Sequence, residues 1–122
     1  MHITVVDDTR LTVTSSPELK IEEEGDVHFG PLQMLAASLG SCILAVLHAW
    51  GDRVDVDPGG VEVEVSWEYA DQPYRVGRFD TRIRWPGLPD DRRQVARRVA
   101  GTCTVHHTLE HPPEMTVQLE SP

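Results

Sequence analysis

Gly30-Pro31-Leu32-Gln33-Met34-Leu35-Ala36-Ala37-Ser38-Leu39-Gly40-Ser41-Cys42-Ile43-Leu44-Ala45-Val46-Leu47-His48-Ala49-Trp50 is a run of 21 residues with no acid, lysine or arginine. About 20 apolar residues can span a bilayer as a helix. This run is interrupted by Gln33, Ser38, Gly40, Ser41 and His48, and positive charge does not cluster at either end, where Asp26 precedes and Asp52-Arg53 follow. A helix apolar on all sides is more often the central helix of a soluble core, and that is the reading adopted here. Pro31 suits the first turn, because its missing N–H would be unpaired there anyway. Gly51 is expected to end the helix.

Short strands are predicted on both sides of this helix. Before it, Ile3 and Val5 alternate with polar neighbours, Asp7-Asp8-Thr9 forms a turn, and Leu11 and Val13 alternate again. Leu19 and Ile21 suggest a third strand that ends in the acidic loop Glu22-Glu23-Glu24-Gly25-Asp26. After it, Val61 to Tyr69 alternates strictly, and Phe79, Thr81, Ile83 and Trp85 alternate with Asp80, Arg82 and Arg84. Joined through Asp71-Gln72-Pro73, these two stretches read as an antiparallel hairpin. Its polar face would set Glu62, Glu64 and Glu68 against Arg78, Arg82 and Arg84. Pro89-Asp90-Asp91 begins a helix that places Arg97-Arg98 in its last turn, as the helix dipole prefers. Gly101 stops it, and Thr102 is the expected N-cap of a short helix with Cys103 in its first turn. Met115, Val117 and Leu119 suggest a final strand. The whole reads as a single domain over residues 1–122, of α+β class and small enough to gain from an oligomeric partner.

The chain carries 20 acidic against 11 basic residues, a formal charge of −9. That balance argues against a nucleic-acid or anionic-membrane surface. Eight arginines fall between Arg75 and Arg98, and the hairpin reading gives those in the strand acidic partners. The start, Met1-His2-Ile3-Thr4, has neither the basic nor the apolar segment of a secretory signal. A cytoplasmic location with reduced thiols is therefore expected.

The two cysteines stand in different settings. Cys42 is mid-helix, where packing as a small hydrophobe is the usual role. Cys103 stands at a helix start, which lowers a thiol pKa and favours the reactive thiolate. As a nucleophile, Cys42 would need a cation supplied by the fold, and Arg10 is the candidate. Cys103, His106, His107 and His111 invite a metal reading, but the paired spacings of strong metal motifs are missing, so no metal and no other cofactor is expected.

The segments Gly30 to Cys42 and Cys103-Thr104-Val105-His106-His107-Thr108-Leu109-Glu110 resemble the two cysteine motifs of the OsmC/Ohr family, in the same order. The resemblance implies an intertwined homodimer with curved antiparallel sheets around long central helices. It implies a thiol-dependent peroxidase for organic hydroperoxides, in which Cys42 becomes a sulfenic acid and Cys103 condenses with it to a disulfide. An external dithiol, lipoyl-type in some members, would then restore both thiols. Active members pair an N-terminal arginine with a glutamate just after the proline that opens the first motif. Here those positions hold Leu32 and Gln33, which are therefore the expected substrate-side residues. Gln33 is expected to hold Arg10 by a neutral hydrogen bond, weaker than a charge-assisted one. The departure keeps open a second reading, an OsmC-like protein without efficient peroxidase activity that binds a small apolar or electrophilic ligand in the dimer cleft.

Overall fold

The computed structural model describes residues 1–121. Its elements run β1 (His2–Asp7), β2 (Arg10–Thr14), β3 (Lys20–Glu23), α1 (Pro31–Arg53), β4 (Glu62–Ala70), β5 (Arg75–Arg84), a 3-10 turn (Asp90–Arg92), α2 (Arg93–Ala100) and α3 (Thr104–Glu110). The strands form one sheet in the order β3-β1-β2-β4-β5. Four of the strands pair antiparallel, whereas β3 lies parallel to β1, with Ile3 opposite Ile21. The sheet is thus mixed, in contrast to the antiparallel expectation. Residues 15–19 carry the chain back to the start of β1 before it turns into β3, and the Lys20 N–H bonds the Met1 carbonyl at 3.0 Å.

Alternation fixes which side chains meet α1. Leu11, Val13, Val63 and Val65 are fully buried while their neighbours along the strands are not, as a pleat with period two requires. Leu39, Ile43, Leu47 and Trp50 of α1 cover them. Gly40 sets the separation. A Cβ there would stand 2.9 Å from Val13 Cγ2 and 3.2 Å from Val65 Cγ2. Gly51, the expected helix stop, also serves close packing: α1 continues through it to Arg53, and a Cβ at Gly51 would meet the Val56 carbonyl at 2.9 Å and the Trp85 ring at 3.1 Å. Trp85 in turn packs edge-on against Trp50 and donates its indole N–H to the Asp57 carbonyl at 2.8 Å.

The hairpin has the expected register, with Glu62 opposite Arg84, Glu64 opposite Arg82 and Glu68 opposite Arg78. Only the first of these closes to an ion pair, at 3.2 Å, and Arg78 turns instead to Asp80 on its own strand. The segment expected as a final strand, around Met115, Val117 and Leu119, has no strand partner among the described residues. Its three apolar side chains are 85 to 100 % exposed. Alternation alone cannot make a strand without a pairing edge and a covering surface.

The other side of α1 is less well covered. Met34, Ser38, Ala45 and Ala49 are exposed, Ser41, Cys42 and Val46 are half-buried, and none of the seven is charged. The helix is long and apolar enough to cross a membrane, yet its other face is the lid of the sheet, the arrangement of a core helix.

The contact at Gly40 generates a stability test. Replacing glycine inside a helix ordinarily gains up to about 1 kcal/mol. Gly40→Val should instead cost about 1–3 kcal/mol, because two valines on adjacent strands must give way. Urea denaturation measures this, and an unchanged or raised midpoint would show that the helix does not depend on that approach.

Candidate functional site: the thiol pair

Gly40 and Cys42 are two residues apart, about 200° around a helix of 3.6 residues per turn. With Gly40 against the sheet, Cys42 must point away from it, and it is half-buried rather than enclosed. There it meets Cys103. The chain reverses after α2, and α3 packs against α1. The Cys42 thiol is near enough to the Cys103 thiol to hinder its ionisation. Both thiols are free. Residues 61 positions apart in sequence are thus neighbours in space, while the exposures reverse the expectation: Cys103 is the sheltered thiol, at 0 % exposure.

The local geometry of Cys103 also differs by one position. Cys103 itself, not Thr102, is the N-cap of α3, with extended backbone and its Sγ accepting the His106 N–H at 3.1 Å. Thr102 spends its hydroxyl on the Val99 carbonyl at 2.6 Å. The helix start therefore does act on Cys103, but burial acts more strongly. Desolvation pushes the Cys103 thiol up to about 11, the amide N–H groups of His106 and Val105 pull it down, and the Cys42 thiol beside it pushes it up again. Cys103 is thus a protonated, enclosed thiol near neutral pH, contrary to the expected activation.

Arg10 and Gln33 are each engaged elsewhere. Leu11 and Val13 face α1, so alternation turns Arg10 to the opposite side of the sheet. There its Nη2 is held by Asp7 Oδ2 at 2.8 Å. It lines a polar depression of about 520 Å³ with Glu64, Ser66, Glu68 and Asp80. Among the described residues, its recorded partner is Asp7, and no bond links it to Cys42. Gln33 does not hold it, contrary to expectation. Its Oε1 accepts the Gly30 N–H at 3.0 Å and its Nε2 donates to the Asp8 carbonyl at 2.9 Å. Gln33 thus ties the first turn of α1 to the β1–β2 turn, and this role needs a donor that glutamate lacks. Leu32 is half-buried in the same turn and offers no polar group.

Two features leave little mark on the sequence. One is the two-sided use of Gln33, signalled only by a glutamine at the third position of a helix, where capping boxes place one. The other is a cavity of about 590 Å³ between β5 and α2, lined by Ile83, Trp85, Leu88 and Ala96 with Arg93 and Arg97. Neither cysteine lines it.

Comparison with known proteins agrees with the motif reading. The pattern of the family described as OsmC-like protein matches residues 23–118. Among solved structures the chain is similar to that of a protein from Psychrobacter arcticus 273-4, provisionally described as an osmotic stress induced and detoxification response protein. The identity is 25 % and the TM-score 0.62, over 87 % of this chain and 84 % of that one. No curated protein matches the sequence.

The environment of the pair predicts an order of reactivity and a sign of pH dependence. Iodoacetamide near neutral pH should modify Cys42 and leave Cys103 intact until urea unfolds the chain, as read by peptide mass spectrometry. Prior modification of Cys103 would refute the assignment. Because the folded state holds the Cys103 proton more tightly than the unfolded chain, stability is full below the ordinary thiol value of 9.0 and falls as pH rises from there through about 11. Thermal melts of wild type and Cys103→Ala should differ in that slope.

Proposed function

This chain belongs to the OsmC-like family, and on that footing we propose that it serves in stress response and detoxification as a thiol peroxidase for organic hydroperoxides. The observation that carries the reading is the juxtaposition of two free thiols of unequal exposure, Cys42 accessible and Cys103 enclosed. The likeness to the Psychrobacter protein supports the same broad role.

The chemistry assigned to the pair is as follows. The Cys42 thiolate attacks one oxygen of the hydroperoxide, an S–O bond forms, the O–O bond breaks, and the alkoxide leaves and takes up a proton. Cys42 is oxidised to a sulfenic acid and the peroxide is reduced to an alcohol and the bound hydroxyl. The Cys103 sulfur then attacks the Cys42 sulfur. The S–S bond forms as S–OH breaks, and the Cys103 proton leaves with the hydroxide as water. An external dithiol, lipoyl-type in its chemistry, returns two electrons and two protons. The high Cys103 pKa suits the second role. A thiol that stays protonated competes poorly for peroxide and keeps its proton for the departing hydroxide.

The reading includes a cytoplasmic homodimer. A second copy would cover the uncharged stripe of α1 that contains Cys42. It would also supply neighbours for the apolar side chains of Met115, Val117 and Leu119. Any activation of Cys42 by Arg10 would have to cross that interface, because the Arg10 of the same chain is held by Asp7 on the far side of the sheet.

The test is consumption of cumene hydroperoxide with dihydrolipoamide as donor. Wild type should turn over, Cys42→Ser should be inactive, and Cys103→Ser should stop after one equivalent with a trappable sulfenic acid. Light scattering should give the mass of two chains. An inactive wild type with a reactive Cys42 would leave ligand binding in the dimer cleft as the better account. Arg10→Ala decides the remaining assignment: an unchanged rate and unchanged alkylation of Cys42 would remove Arg10 from the mechanism.

A further inference from the structure

The last turn of α3 gathers a second group of chemistry-bearing side chains, apart from the thiol pair. His107, Glu110 and His111 present ligand atoms that all lie within 4.8 Å of one another, and all three residues are exposed. The sequence invited a different set, Cys103 with His106, His107 and His111. The structure removes Cys103 from it, since its sulfur is enclosed beside Cys42 and caps the helix. Glu110 takes its place, three residues after one histidine and next to the other.

We propose that His107, Glu110 and His111 form a binding site for a divalent metal ion of borderline softness, such as Zn²⁺, Ni²⁺ or Co²⁺. Spacing is the first reason. Histidines at i and i+4 project from one side of a helix, and a carboxylate at i+3 projects beside them. Two imidazoles and one carboxylate suit these ions, whereas Ca²⁺ and Mg²⁺ prefer oxygen ligands throughout.

Orientation is the second reason, and it is independent of spacing. His111 Nδ1 stands 3.2 Å from the His107 carbonyl. A carbonyl can only accept, so this contact places the proton on Nδ1 and leaves the Nε2 lone pair free for a metal. Glu110 Oε1 is 3.2 Å from His106 Nε2, which fixes the carboxylate from behind and leaves its second oxygen available. Two of the three ligands thus already have the outer partners that metal ligands characteristically keep. The site is open to solvent, so water or a further ligand completes the coordination.

The location gives the site a consequence for its helix. α3 has seven residues, too few to be stable alone, and its first turn is capped by Cys103. A metal that joins its last turn at i and i+4 holds the helix from the other end and binds the folded form alone, so it raises the melting temperature by mass action.

The experiment is calorimetric titration of the full chain, reduced with a phosphine so that no added thiol competes for metal, using ZnCl₂ and separately NiCl₂. One saturable site per chain is expected, accompanied by a rise in melting temperature. His107→Gln and His111→Gln should each abolish both effects. His106→Ala, which removes only the outer partner of Glu110, should weaken binding by about tenfold or more. Cys42→Ser should bind as wild type does. Absence of saturable binding to wild type would overturn the proposal. So would binding that survives both glutamine variants, or that disappears in Cys42→Ser, which would assign the metal to the thiols. None of these outcomes depends on peroxidase activity.

Discussion

The close approach of α1 to the sheet at Gly40 is the constraint from which the candidate site follows. No side chain stands between the helix backbone and Val13 and Val65 at that point. The approach fixes both the depth and the rotation of α1. Rotation then decides which residues of an almost wholly apolar helix face the core. Leu39, Ile43 and Leu47 are committed to the sheet. Cys42, about 200° from Gly40, is directed away from the sheet, where it meets Cys103 at the start of α3. A helix apolar all round carries little rotational information in its own pattern. The glycine supplies it.

The thiol pair shows two opposing electrostatic effects and which one wins. A helix N-terminus stabilises a thiolate through its free N–H groups, and Cys103 receives that help directly from His106. Complete enclosure withdraws the hydration that a thiolate would otherwise enjoy, and the seven-residue α3 does not make up the difference. The thiol is pushed up to about 11. Cys42 lacks the helix terminus but keeps partial access to solvent. The two cysteines are therefore distinguished less by helix position than by which of them is enclosed where α3 packs on α1.

Much of this was legible in the sequence, and the gaps have physical causes. The β4–β5 register could be read because strict alternation and opposed charges both depend on local spacing. The central helix could be read from its length and its freedom from charge. The parallel placement of β3 could not, because direction within a sheet is set by how the connecting residues travel and leaves no mark on a four-residue strand. Arg10 was assigned by analogy of position, but strand parity turns it away from the Cys42 of its own chain, since Leu11 and Val13 are the residues that the core demands. Gln33 was read as a weaker partner for that arginine. Its carboxamide instead uses both its donor and its acceptor on backbone, which only the proximity of the β1–β2 turn reveals. The inversion of cysteine exposure was hidden for the same reason: burial is a property of the assembled layers.

What remains uncovered in one chain is as ordered as what is covered. From Met34 to Ala49 the free stripe of α1 is uncharged, and the alternating apolar residues near the C-terminus are more than four-fifths exposed. A chain with a charge of −9 has acids enough to coat a surface, yet none stands on that stripe. Their absence there is informative in the way that an exposed leucine alone is not. The same uncharged strip contains Cys42, so under the proposed function whatever covers it would also control the access of peroxide and reductant to that sulfur. A surface kept apolar to join a second copy would also keep the surroundings of Cys42 poor in water, which would favour an apolar hydroperoxide over a hydrated one. Interface and substrate preference would then be two consequences of one face of one helix.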